Sequence, residues 1–261
     1  MSPQNDQAQT LKALHQPGKP LILTNVWDAI TANAIAALPE TKALATASYA
    51  IAAAAGIEDP ELTLEINLRA IEAIAKVAKK YGKPLTADFQ DGFGDELESG
   101  IRRVIQLGAV GINLEDFGRE IDGLYPVDVA QDRIRRVLAV AAEEGVPDFV
   151  INARTDALLK GLSIDDAIAR GKAYLEAGAA NVFIWGGKER RGTRTEEVEK
   201  ASKELGGRLN VILVRIMPGA LTVKELGEIG VARISVGPQL MLRTVGAVAE
   251  EAGKILNGEG L

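Results

Sequence analysis

The sequence contains no cysteine. That absence removes disulfides, thiolate zinc sites and cysteine nucleophiles together. There is one histidine, His15, in a polar opening stretch, so a histidine general base or a His-rich metal cluster has almost nothing to be built from. Acid–base or metal chemistry must then come from carboxylates, Lys, Tyr or water. No long apolar run is present either. The most apolar stretch, residues 43–57, is shorter than the roughly 20 residues a membrane-spanning helix needs and carries Thr46, Ser48 and Tyr49. The opening MSPQNDQAQT lacks a charged region followed by an apolar one, which excludes a secretory signal of the usual kind. With 30 basic against 36 acidic residues, a net charge of −6 and no dense Lys/Arg stripe, nucleic acid is not an expected partner. A cytoplasmic protein with neither a membrane nor a nucleic-acid partner is the expectation.

What is present is the raw material of a large core: 261 residues, 47% of them hydrophobic, 25% charged, with 27 glycines. That length suits one (β/α)8 barrel, which commonly takes about 250 residues. Eight short β-branched or aliphatic runs recur with helical stretches between them, at 20–25, 43–47, 85–89, 111–116, 149–154, 181–185, 209–214 and 232–237. They do not alternate apolar with polar, so both of their faces are expected to be buried, as in a parallel sheet. Residues 63–81 place Ile71, Ile74, Ala75 and Ala78 at helical spacing before Gly82 and Pro84. Ser163 with Asp166 reads as a capping box before a helix ending near Gly178. LGAVGINL, AGAANVFI and IGVARISV repeat a helix-stopping glycine followed by a strand, and they mark the fourth, sixth and eighth units. No linker divides the chain. The expected architecture is therefore α/β, a single (β/α)8 TIM-type barrel over residues 1–261, with residues 1–19 as a polar N-terminal leader.

Active sites of such barrels lie at the carboxyl ends of the strands, so the polar residues that close each run are the candidates. They are Asn25, Trp27 and Asp28; Ser48 and Tyr49; Asp88, Gln90 and Asp91; Glu115 and Asp116; Arg154 and Asp156; Trp185; and Arg215. Asp88, Asp91, Glu115 and Asp116 crowd like charges onto one rim, which a hard cation such as Mg²⁺ or Mn²⁺ relieves. Acids capping the following helices are the other explanation. Arg154, closing an otherwise apolar run, offers a planar fork for a substrate carboxylate, or else a pairing with a neighbouring acid. The backbone amides of Ser48 and Tyr49 are candidates to receive an oxyanion. The apolar stripe Leu242, Val245, Val248, Ala249 and Ala252 is expected to be buried, against its own barrel or against another subunit.

NVWDA at 25–29, TADFQDGFG at 86–94, GAVGINLED at 108–116, FVINARTDA at 149–157 and ARISVG at 232–237 together resemble the isocitrate lyase/phosphoenolpyruvate mutase superfamily, in its carboxyphosphonoenolpyruvate mutase-like branch. The resemblance implies a barrel often assembled as a homo-oligomer, dimer or tetramer, with a C-terminal helix exchanged between subunits. It also implies Mg²⁺-dependent chemistry on a small 2-oxo or 2-hydroxy carboxylate, cleaving a C–C or P–C bond through an enolate. Carried over by motif, Asp88 is the main metal-ligating carboxylate, with Glu115, Gln90 and Asp91 around it. Arg154, Ser48, Tyr49 and Trp185 hold substrate; Asp59, Tyr49 and Arg154 take the catalytic roles. Two departures stand out. Gln90 occupies a position that is usually acidic, and FGREIDGLYP at 117–126 lacks the Lys, Cys and His of the lyases' gating loop. Isocitrate cleavage by the usual route is not expected. A catalytically impaired member that binds a carboxylate metabolite, or serves as an assembly partner, is the alternative.

Overall fold

The computed structural model describes residues 2–187, 189–190, 192–213 and 220–259. All eight expected strands form: β1 Leu21–Leu23, β2 Leu44–Ala45, β3 Leu85–Asp88 and β4 Gly111–Glu115, then, after a small antiparallel hairpin of β5 Phe117–Gly118 and β6 Gly123–Leu124, β7 Val150–Thr155, β8 Asn181–Ile184, β9 Leu209–Ile212 and β10 Arg233–Ser235. The eight pair in parallel in the order β1-β10-β9-β8-β7-β4-β3-β2. The seam between β1 and β2 is closed by a parallel bridge, in which the Val26 amide donates to the Ala45 carbonyl at 2.8 Å and the Ala47 amide to that of Val26 at 3.2 Å. Asn25 fastens the same seam. Its Nδ2 donates to the Thr46 carbonyl at 2.7 Å, while its Oδ1 accepts from the Val236 and Gly237 amides, each at 3.0 Å.

The helices are α1 Pro3–Ala13, α2 Ala29–Ala36, α3 Ser48–Ala54, α4 Leu64–Tyr81, α5 Leu97–Gln106, α6 Val127–Glu143, α7 Ile164–Glu176, α8 Thr195–Glu204, α9 Val223–Ile229 and α10 Gln239–Leu256. None of the described helices is long and apolar enough to cross a membrane. Local chemistry sets their ends. Thr63 accepts from the Ile66 amide to start α4, and Gly82 ends it with φ of 62°. Ser163 and Asp166 form the reciprocal capping box of α7. In the repeated element Gly108, Gly178 and Gly230 all have φ near 100°, at 107°, 108° and 98°. A side chain there would be strained, which accounts for the recurrence.

The polar leader carries a helix that its composition hides. In α1 only Asn5, Ala8 and Leu11 are buried. Asn5 pairs reciprocally with Asp148, donating to its carboxylate and accepting from its backbone amide, both at 3.0 Å. His15 follows, its Nδ1 2.8 Å from the Leu11 carbonyl and its Nε2 3.5 Å from Arg233 Nη1. Burial, reinforced by the Arg233 charge, lowers the His15 pKa from 6.5 to about 3. The unfolded chain therefore takes up a proton below about pH 6.5 that the folded chain refuses, and stability is lost as pH falls through that window. Between pH 6.5 and 5 this amounts to about 2 kcal/mol at 1.4 kcal/mol per unit. His15→Gln should flatten urea-unfolding stability by that amount over this interval. Parallel curves for the two proteins would show that His15 is not a source of acid sensitivity.

The stripe on α10 departs from half of its expectation. Met241 alone is buried in this helix, while Leu242, Val245 and Val248 are 55%, 60% and 63% exposed. Burial of the stripe against its own barrel is thereby excluded. The outward face of β1 is left uncovered too: Ile22 is exposed beside a surface groove of about 490 Å³ that also includes Pro20, Val223 and Gly227.

Candidate active site at the carboxyl ends of β3, β4 and β7

Strand register brings the principal candidates together. Asp88 ends β3, Glu115 ends β4, and Arg154 lies opposite Glu115 on β7. Arg154 turns its fork onto two acids: Nε and Nη2 donate to the Asp156 carboxylate at 2.7 and 3.0 Å, and Nη1 donates to Glu115 Oε1 at 2.8 Å. Its cation stands 5.6 Å from the Phe183 ring centre, and Trp185 packs beside Phe183 at 6.1 Å. Burial opposes the Arg154 charge, yet Asp156 and Glu115 outweigh it and hold its pKa above the ordinary range. Burial pushes the Glu115 carboxyl well up, against the pull of Arg154 and with a further push from Asp156, Asp88 and Asp59.

Asp88 is held by donors on both oxygens. The Ser48 amide, at the start of α3, donates to Oδ2 at 2.9 Å, and Asn113 Nδ2 donates to Oδ1 at 3.0 Å. The Asp88 amide gives its own hydrogen to Thr46 Oγ1 at 2.8 Å, and Asn67 caps its carbonyl at 3.1 Å. Asp59 comes from a short 3₁₀ turn, Asp59–Glu61. Burial raises its pKa, with Asp88 adding to the effect, while the Ser48 hydroxyl and Gln90 hydrogen-bond to it. Tyr49 is 45% exposed.

The other acidic candidates are placed differently. Asp91 is buried and spends its carboxylate on Arg119 Nε at 2.8 Å and on the Phe93 and Arg119 amides, each at 3.1 Å. Gln90, in a left-handed conformation with φ of 46°, accepts from Arg119 Nη2 at 2.5 Å and donates to Asp59 Oδ1 at 3.0 Å. Its amide is thus shared between a loop arginine and Asp59. Asp116 accepts from the Asp156 amide at 2.9 Å and the Tyr174 hydroxyl at 2.7 Å. Asp28 caps α2 through the Thr31 amide at 2.7 Å, so the capping explanation holds there. Arg215 lies outside the described residues.

Sequence reasoning missed Arg119, on the β5–β6 hairpin, which also reaches the Leu62 carbonyl and lies over the Phe93 ring. It missed Asn113, Asn152 and Asn181 as well. The available signal was an asparagine two places before Glu115, Arg154 and Phe183, each on the same inward face of an apolar strand.

Among the described residues, no three His, Cys, Asp or Glu side chains converge closely enough to enclose a cation. That donor set suits Mg²⁺, which is commonly bound through one or two carboxylates and keeps several waters. Asp88 fits as the direct carboxylate because, among the described residues, each of its oxygens has a single donor and retains a lone pair. The charges of Asp88 and Asp59 push the Glu115 carboxyl up, and that of Asp88 pushes up Asp59, a like-charge repulsion that a cation offsets.

A model of the family described as phosphoenolpyruvate phosphomutase matches residues 11–256. The chain belongs to this family, within the isocitrate lyase/phosphoenolpyruvate mutase superfamily. It is 31% identical over 251 residues to an uncharacterised protein of Mycobacterium tuberculosis, covering 95% of this chain and 89% of that one. Phosphonopyruvate hydrolase of Variovorax is 27% identical over 227 residues, covering 83% and 73%. A phosphonopyruvate hydrolase structure holding oxalate and Mg²⁺ superposes with a TM-score of 0.82 at 26% identity, covering 97% of this chain and 88% of that one. Lyases, mutases and hydrolases all occur among the relatives, and the chain is an enzyme of this group.

Proposed function

We propose that this enzyme is a Mg²⁺-dependent lyase or hydrolase, with Mn²⁺ as a substitute ion, that cleaves a C–C or P–C bond in a small 2-oxo or 2-hydroxy carboxylate through an enolate. The observation that carries this reading is the placing of Arg154 between Glu115 and Asp156 at the rim where Asp88 ends β3. When bound, the ion supplies Lewis acidity to the oxygen on which negative charge develops.

The chain's own residues do the rest. Arg154 retains guanidinium hydrogens beyond those spent on Asp156 and Glu115 and uses them to orient the substrate carboxylate. Asp59, whose pKa burial raises, lies next to the Ser48 hydroxyl and is the group to exchange a proton with the substrate. Tyr49 and Trp185 border the mouth and restrict the size of the group leaving the scissile bond. Gln90 and Asp91 are left out of the ligand set because Arg119 occupies both. That occupation also favours the second reading, a carboxylate-binding member with weak catalysis, since the Arg119 cation on the Gln90 oxygen disfavours a second cation and its water there.

Thermal unfolding with Mg²⁺ and oxalate, oxaloacetate or phosphonopyruvate tests the reading. Stabilisation by oxalate only when Mg²⁺ is present is the expected result. Turnover of one of the other two acids separates the enzyme from the weak binder. Identical melting curves in every mixture contradict both.

We further propose a homo-oligomer, dimer or tetramer, in which the exposed stripe of α10 covers the β1 groove of a second copy. Val245→Asp together with Val248→Asp should reduce the mass measured by light scattering to that of one chain, 27.7 kDa, with the barrel's circular dichroism kept. A parent protein that is already monomeric at micromolar concentration contradicts the assembly.

A further inference from the structure

Across four neighbouring strands, one inward side chain per strand forms a continuous hydrogen-bonded row. Asn181 Nδ2 on β8 donates to Asn152 Oδ1 on β7 at 3.1 Å. Asn152 Nδ2 donates to Asn113 Oδ1 on β4 at 2.8 Å, and Asn113 Nδ2 donates to Asp88 Oδ1 on β3 at 3.0 Å. The strand register pairs these same residues: Asp88 with Asn113, Asn113 with Asn152, and Asn152 with Asn181. All three asparagines are buried, and the last oxygen of the row, Asn181 Oδ1, has no hydrogen-bond partner among the described residues.

The direction of the row follows from its end. A carboxylate offers only lone pairs, so Asn113 must turn its NH₂ group to Asp88, which leaves its carbonyl oxygen facing Asn152. Asn152 must then present its own NH₂, and Asn181 likewise. A flip of Asn113 would set oxygen against carboxylate, and Asn152 prevents that flip by needing an acceptor. The orientation of the Asp88 carboxylate is thereby coupled to two residues that touch neither the rim nor each other's far neighbours. The row leaves its orphan at Asn181, on the strand of the row farthest from Asp88. Apolar side chains would fill these four interior positions without leaving an unmatched acceptor, so packing alone does not explain them.

We propose that Asn152 and Asn181, acting through Asn113, are positioning residues that fix Asp88 in the geometry that takes the divalent cation. The inference rests on the reading of Asp88 as the cation's carboxylate. Side chains that orient ligating groups commonly change metal affinity by about 10- to 100-fold when removed.

The test is calorimetric titration of Mg²⁺ into the parent and three variants. Asn152→Leu should weaken Mg²⁺ binding by about 10-fold. Asn181→Leu, which removes only the far end, should weaken it by a smaller factor and decides the matter if Asn152→Leu does not fold. Asn210→Leu is the control for burial alone: Asn210 is as deeply buried on β9, but its Nδ2 goes to Ser235 Oγ at 3.2 Å and it is no member of the row. This variant should lose thermal stability and keep the parent affinity. Parent affinity in folded Asn152→Leu or Asn181→Leu, or an equal loss in Asn210→Leu, overturns the positioning role while leaving the cation reading intact. A parent that binds no Mg²⁺ overturns the cation reading first, and the inference with it.

Discussion

Arg154→Met should destabilise the protein by about 3–5 kcal/mol and abolish carboxylate binding, the largest effect expected of any single change. Among the described residues Arg154 is the one cation in contact with Glu115 and Asp156, and all three side chains are largely buried. Its removal leaves two carboxylates in a low-dielectric wall with no opposite charge. Arg154→Lys should recover only part of the loss, because a single ammonium cannot reproduce a fork that grips Asp156 twice and reaches Glu115 with its third nitrogen. The pH dependence has a definite sign. Without Arg154 the Glu115 carboxyl, already pushed up by burial, loses the charge that pulls it down, so the folded variant takes up a proton ahead of its unfolded form. The gap to the parent should then narrow as pH falls from 7 toward 5. Urea unfolding at both pH values measures this. A variant as stable as the parent at pH 7 contradicts the buried ion-pair account.

Asp88→Asn should have nearly the opposite profile, with a modest stability loss and a loss of Mg²⁺-dependent oxalate binding of about 100-fold or more. Two donors, the Ser48 amide and Asn113 Nδ2, face the two Asp88 oxygens. An asparagine satisfies one of them and sets its own NH₂ against the other, which costs about 1–3 kcal/mol. A residue serving only to cap the start of α3 would tolerate asparagine well. Calorimetry with unchanged oxalate affinity in Asp88→Asn therefore assigns Asp88 to the cap and removes it from the site.

The barrel was legible because its strands are apolar on both faces and its helices begin and end with residues whose backbone chemistry is local, such as Thr63, Ser163 and Gly178. Helix α1 was not, since three buried positions in a polar segment give no visible period. Asp88 and Asp91 look alike in sequence, three places apart, yet Arg119 of the hairpin neutralises one and leaves the other. Spacing within a strand end cannot show which. The asparagine row was hidden for a similar reason: asparagine in a short run reads as a turn residue until the register aligns four strands. The α10 stripe was read correctly as apolar, but sequence could not say that its own barrel would not cover it.

The measurement that bears most directly on the cation–carboxylate site is calorimetric titration of oxalate into the parent protein, once with excess Mg²⁺ and once with EDTA. The account predicts saturable binding with Mg²⁺ and none with EDTA. Equal binding in both solutions, or none in either, contradicts it.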